Sequence, residues 1–186
     1  MKRNQTLYLT LAALFLALGI VLPFLTANNM MLGNMLSLMH IPVLLCGFVC
    51  GWSYGLLIGF ITPLLRSVLI GAPPMMPVAI MMAFELAAYG ALAGLLYKAL
   101  PKTIPGLYAA LILSMLIGRA VWGLTGFALY SLAQDSYARV IPVPFSLKYF
   151  WNAAFLTPWP GIALQIGLIP PILLALGESK LFPLKG

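Results

Sequence analysis

The chain alternates long apolar runs with short breaks marked by proline, glycine or charge. Six runs stand out, at about 7–25, 39–50, 54–70, 77–100, 104–132 and 147–176. Gly51-Trp52-Ser53 reads as a tight turn. Gly71-Ala72-Pro73-Pro74 cannot continue a helix, because proline has no amide hydrogen to donate. Lys98, Pro101 and Lys102 mark the end of the fourth run, and Pro158-Trp159-Pro160 interrupts the sixth. A helix needs roughly 20 apolar residues to cross about 30 Å of hydrocarbon. The expected fold is therefore an all-α integral membrane protein, a single membrane domain over residues 1–186 with six transmembrane helices. No soluble domain of useful size is left over. The run from Leu7 to Leu25 exceeds the core of a secretory signal, so it is expected to be retained as the first helix.

Composition explains why lipid must be the solvent. Apolar residues make up 63 % of the chain and charged residues 7 %, too few to coat a water-facing surface. The net charge of +7 does not indicate nucleic-acid binding, because the basic residues are scattered along the flanks of apolar runs. They set topology instead. With six spans and both termini cytoplasmic, Lys2, Arg3, Lys98, Lys102, Lys180 and Lys185 lie inside, and only Arg139 and Lys148 lie outside. A five-span alternative, with 39–61 as one helix and 62–71 re-entrant, removes that bias. In the six-span arrangement the second run is short. The polar, uncharged stretch 26–37, with Asn28, Asn29 and Asn34, is then expected to dip into the outer half of the protein as non-helical backbone.

Three charged residues fall inside predicted spans: Arg66, Glu85 and Arg119. Such groups are costly in a membrane and usually functional. The structural expectation is a Glu85–Arg119 or Glu85–Arg66 pair. Either leaves one arginine to snorkel, to bind backbone carbonyls or to receive an anionic ligand. Polar and aromatic groups gather toward the same side: Asn29, Asn34, His40, Tyr89, Trp122 and Asn152 join the charged three as candidate substrate-binding residues. Trp151 is expected as an interfacial anchor and Trp159 lies at a proline-broken helix. Cys46 and Cys50 share a helix face without enough neighbouring ligands for a metal, so no metal and no cofactor is expected. Small residues at Gly47/Gly51, Gly55/Gly59 and Gly90/Gly94 predict close helix approach. No nucleophile or phosphate-loop motif is present, and the chain is not expected to be an enzyme; an intramembrane acid–base pair of Glu85 and His40 is the alternative.

Several blocks carry a resemblance. They are 39–48 (MHIPVLLCGF), Gly55, Gly59, 63–67 (PLLRS), 71–75 (GAPPM), 83–90 (AFELAAYG), 118–123 (GRAVWG) and 160–165 (PGIALQ). In order and spacing they resemble the S component, the substrate-binding subunit, of energy-coupling factor (ECF) vitamin importers, over essentially the whole chain. The resemblance implies a multi-pass protein of a prokaryotic plasma membrane, with a site in the outer half roofed by the loop between the first two helices. It implies capture of a water-soluble vitamin and inward release driven by partners, namely a transmembrane scaffold (the T component) and two ATPase subunits. It also implies a first-helix motif that packs on that scaffold, matched here by Ala13 and Ala17. Binding residues vary among subfamilies. Pantothenate is the leading substrate because a carboxylate suits an unpaired arginine; cobalamin, folate and a pyridoxine-like or pyrimidine precursor stay open.

Overall fold

A computed structural model describes residues 5–26 and 29–178. The chain is helical throughout, with no strand among the described residues. Six helical stretches are long and apolar enough to cross a membrane: Gln5–Thr26, Met31–Cys50, Trp52–Ile70, Met75–Ala99, Ile104–Leu132 and Trp159–Gly177. Helix α1 is Gln5–Val21, closed by a 3-10 turn at Leu22–Thr26. Helices α2 (Met30–Leu36), α3 (His40–Cys50) and α4 (Trp52–Ile70) follow. A wide turn at Met75–Ala79 leads into α5 (Ile80–Ala99). Helix α6 is Ile104–Leu132. Two short helices, α7 (Gln134–Ala138) and α8 (Leu147–Trp151), precede α9 (Trp159–Glu178).

The core is built around α3, every residue of which is buried. It packs on α1, α4, α5 and α9. Lipid gives no hydrophobic drive for helices to associate, so close backbone contact has to supply the attraction. Glycine provides it. A Cβ on Gly47 or on Gly55 would strike the Gly90 carbonyl, one on Gly59 would strike the Leu86 carbonyl, and one on Gly94 would strike the backbone of Trp52. Helices α3, α4 and α5 therefore touch main chain to main chain. Gly51, with φ of 96°, makes the sharp turn from α3 into α4.

Local capping agrees with these ends. The Thr103 hydroxyl accepts from the Gly106 amide at the start of α6. Lys102 donates to the Tyr97 carbonyl and lies 3.5 Å from the centroid of the Tyr97 ring, so a cation closes the C-terminal end of α5. Burial lowers the affinity of the Lys102 amine for its proton.

One expectation changes. Residues 26–37 are not plain loop: α2 forms inside them because Asn29 caps it. The re-entrant alternative fails, since α4 runs unbroken from Trp52 to Ile70 with Pro63 inside it. The sixth run is interrupted at the proline block: α8 and a wide turn at Asn152–Leu156 precede a break at Thr157–Pro158, and α9 follows. The topology residues Lys2, Arg3, Lys180 and Lys185, and Asn28 of the polar stretch, lie outside the described residues.

Candidate functional site

A cavity of about 670 Å³ opens at the end of the bundle where α1 and α4 finish and α5 begins. That is the middle of the range usual for small-molecule pockets. Lys98 and Lys102 sit at the far end, separated from it by about half of α6, from Ile104 to Arg119, roughly 22 Å at 1.5 Å per residue. Helix α2 and its flanks supply Asn29, Asn34 and Ser37 to the wall. His40, Arg66, Glu85, Arg119 and Trp122 come from α3, α4, α5 and α6. Four separate helices thus bring together residues spread over 83 positions of sequence, from 40 to 122.

Each arginine is held by a backbone carbonyl at a proline break. Arg66 Nη1 donates to the Ala72 carbonyl at 2.5 Å. Ala72 lies beyond the end of α4, where Pro73 and Pro74 keep the chain from continuing as a helix. Arg119 Nη1 donates to the Ala154 carbonyl. In a regular helix that carbonyl would accept from position 158, which is a proline. Phe24 and Phe155 lie 5.7 Å and 5.8 Å from the Arg66 and Arg119 guanidinium carbons. Each guanidinium keeps one buried nitrogen without a partner, Arg66 Nε and Arg119 Nη2.

Glu85 does not pair with either arginine, contrary to expectation. Its Oε1 lies 3.6 Å from His40 Nε2, with both side chains buried. His40 Nδ1 lies 3.1 Å from the Ser37 carbonyl, which can only accept, so Nδ1 carries a hydrogen. The contact between Nε2 and Oε1 is then attractive only with a proton on one of the two. Histidinium with carboxylate, or imidazole with carboxylic acid, both sum to zero charge. The pair is neutral as a unit; the Arg119 charge acts on Glu85 only at longer range, and neither guanidinium forms an ion pair with a carboxylate among the described residues.

The remaining candidates divide. Tyr89 is fully buried behind the wall, its ring 5.3 Å from that of His40 and pressed against Gly118 of α6. It supports His40 and does not line the cavity. Asn152 is exposed and accepts from the Thr157 hydroxyl at 3.4 Å; its neighbours Ala153 and Ala154 reach the cavity instead. Trp122 stacks at 27° on Tyr149, which also lines the cavity. Burial, and then the adjacent Tyr149, push the Tyr137 hydroxyl above the usual phenol range. Trp151 and Trp159 are exposed on the outside of the bundle. Sequence reasoning missed Ser37, Met81, Met82 and Tyr149 in the wall. It also missed the two carbonyl partners of the arginines, for which the prolines after them were the available signal.

Asn29 has a local role besides lining the cavity. Its Oδ1 accepts from the Met31 and Leu32 amides at 3.0 and 3.2 Å. Asn29→Ala is expected to destabilise α2 by about 1 kcal/mol. Hydrogen exchange should show protection across 30–36 falling about fivefold while α3 is unchanged; equal protection in parent and variant would show that the cap is not what holds α2.

On the outer face of α1, Ala13 and Ala17 are exposed, while Ala12, Phe15 and Gly19 face the bundle. A family model for the substrate-specific component of ECF transporters matches residues 7–173. No curated protein and no solved structure is detectably similar to the chain. With that match spanning most of the sequence, and six apolar helices around a cavity that has charged residues in its wall, the chain belongs to the substrate-specific components of ECF transporters.

Proposed function

We propose that the cavity captures a small carboxylate, pantothenate foremost, from outside the cell. The observation that carries this reading is electrostatic. Arg66 and Arg119 line one hollow, each with a buried nitrogen unpartnered, while Glu85 is committed to His40. Buried charge is expensive unless it is paired, so an anion completes the site. Charge-assisted contacts to guanidinium are about twice as strong as neutral ones, which makes the carboxylate the anchor. Cobalamin is far larger than the drug-sized ligands that such a volume holds.

Orientation follows from the positive-inside rule. Lys98 and Lys102 belong on the cytoplasmic side, which places the cavity in the outer half, roofed by α2 and its flanks, and puts both termini inside. The scaffold subunit contacts Ala13 and Ala17, where small side chains allow close approach. ATP hydrolysis by two partner subunits drives inward release.

Native mass spectrometry of the purified protein tests the substrate class. A retained carboxylic acid is expected, and added pantothenate should bind at least about tenfold more tightly than its uncharged alcohol analogue. Retention of a neutral molecule, or equal affinity for acid and alcohol, would sink the reading. Retention of folate or another acid would keep the anion site and replace the substrate. The 3.6 Å His40–Glu85 contact favours one second reading, an intramembrane enzyme using that pair as acid and base. Turnover of the bound molecule, lost in Glu85→Gln with binding retained, would establish it.

A further inference from the structure

The block from Pro160 to Gln165 is not used by the ligand site, yet it meets the segment that covers it. Gly161 and Gln165 are one turn apart on α9 and share a face. A Cβ on Gly161 would strike the Leu36 and Met35 carbonyls, so the end of α2 rests directly on the α9 backbone. Gln165, fully buried, donates from Nε2 to the Ser37 carbonyl at 3.4 Å, and its Oε1 has no partner.

Ser37 is the junction between α2 and α3. It adopts φ of 48°, the left-handed region that a residue with a side chain rarely enters. Its carbonyl gathers three donors: the His40 amide at 3.1 Å, His40 Nδ1 at 3.1 Å and the Gln165 amide at 3.4 Å. The first two come from the residue that contacts Glu85 in the cavity, and the third comes from α9.

We propose that Gly161 and Gln165 form the seat of the α2 lid, and that Gln165 latches it through the carbonyl it shares with His40. Gln165 is a positioning residue: it touches no ligand, but it joins the closed lid to the histidine that senses the cavity. A ligand that moves His40 alters the same acceptor that holds the lid, so occupancy and closure are linked at one oxygen. The inference rests on α2 being the roof of the binding cavity.

The test needs no ligand. In the full chain with Cys46→Ala and Cys50→Ala, Met82→Cys places a thiol in the cavity wall. Its labelling by a water-soluble maleimide reports lid opening. The sequence holds a single histidine, so ¹⁵N-imidazole spectra report His40 alone. With α2 as a roof, the parent labels slowly. Gln165→Leu should label about tenfold faster, the factor expected on losing one net hydrogen bond. Its His40 Nδ1 signal should shift, because Nδ1–H then shares the Ser37 carbonyl with one donor fewer. A folded Gln165→Leu that labels slowly with an unaltered His40 spectrum overturns the latch and leaves the roof standing. A parent that already labels at the rate of an exposed thiol overturns the roof, and the latch with it. Should Gln165→Leu fail to fold, Gln165→Asn keeps the amide but shortens its reach, and the same two outcomes apply.

Discussion

Arg119→Gln should bind pantothenate about 100-fold more weakly than the parent, corresponding to about 2.7 kcal/mol. That is the size expected when charge-assisted hydrogen bonds to a buried carboxylate are lost. Arg119 lies well inside α6 and is buried, and its one bonded nitrogen already serves the Ala154 carbonyl. Its Nη2 is buried without a hydrogen-bond partner, and Glu85 reaches it only as a charge at longer range, so a ligand oxygen can complete its hydrogen bonding. The alcohol analogue supplies the discriminating control. Its affinity should change by less than about threefold, because a neutral group gains little from a guanidinium. An equal loss for acid and alcohol would mean that Arg119 shapes the cavity by holding Ala154 and does not read charge. Arg66→Gln is expected to have a smaller effect. Arg66 sits in the last turns of α4, nearer the bundle end, where water competes for the ligand. Melting temperatures of both variants, measured without ligand, separate loss of binding from loss of fold.

Gly90→Val should be the most damaging single change to the scaffold, destabilising it by about 3 kcal/mol, at the upper end of overpacking effects. Gly90 and Gly55 face each other reciprocally: a Cβ on either would strike the carbonyl of the other. Gly47 of α3 meets the same Gly90 carbonyl. The obstacles are backbone atoms, which cannot rotate aside as a flexible side chain could. Relief requires separating α5, the helix that carries Glu85, from both neighbours. Thermal unfolding in detergent and the fraction of monodisperse protein on gel filtration measure the effect. Gly167→Ala is the matched control, since nothing lies within 4 Å of its added Cβ. It should be neutral or slightly stabilising, because alanine favours helix over glycine by about 1 kcal/mol. Similar melting points for the two variants would show that the Gly55–Gly90 contact is not a principal source of helix association.

The span count and the lipid environment were legible from order alone. Crossing a membrane depends on the summed hydropathy of some 20 consecutive residues, a local property that no tertiary contact can reverse. The glycine pairs were legible for the same reason, since an i, i+4 spacing sets a common face before any partner is known. The Asn29 cap was missed although its signal was local: a cap residue preceded a run too short to be recognised as a helix.

Pairing among buried charges was decided only by tertiary structure. Counting charges suggested Glu85 with an arginine, but distance in the folded bundle gives it His40, and each arginine takes a carbonyl instead. Those carbonyls come from breaks made by Pro73, Pro74 and Pro158, and whether such an acceptor meets a distant guanidinium depends on how helices are placed. Asn152 shows the same limit, since a turn of the backbone directs its neighbours, and not its amide, into the cavity. Hydropathy adds along a chain and can be read in one dimension. Electrostatic partnership falls off with separation in three, so which buried charges meet, and which are left for a ligand, is settled when the helices pack.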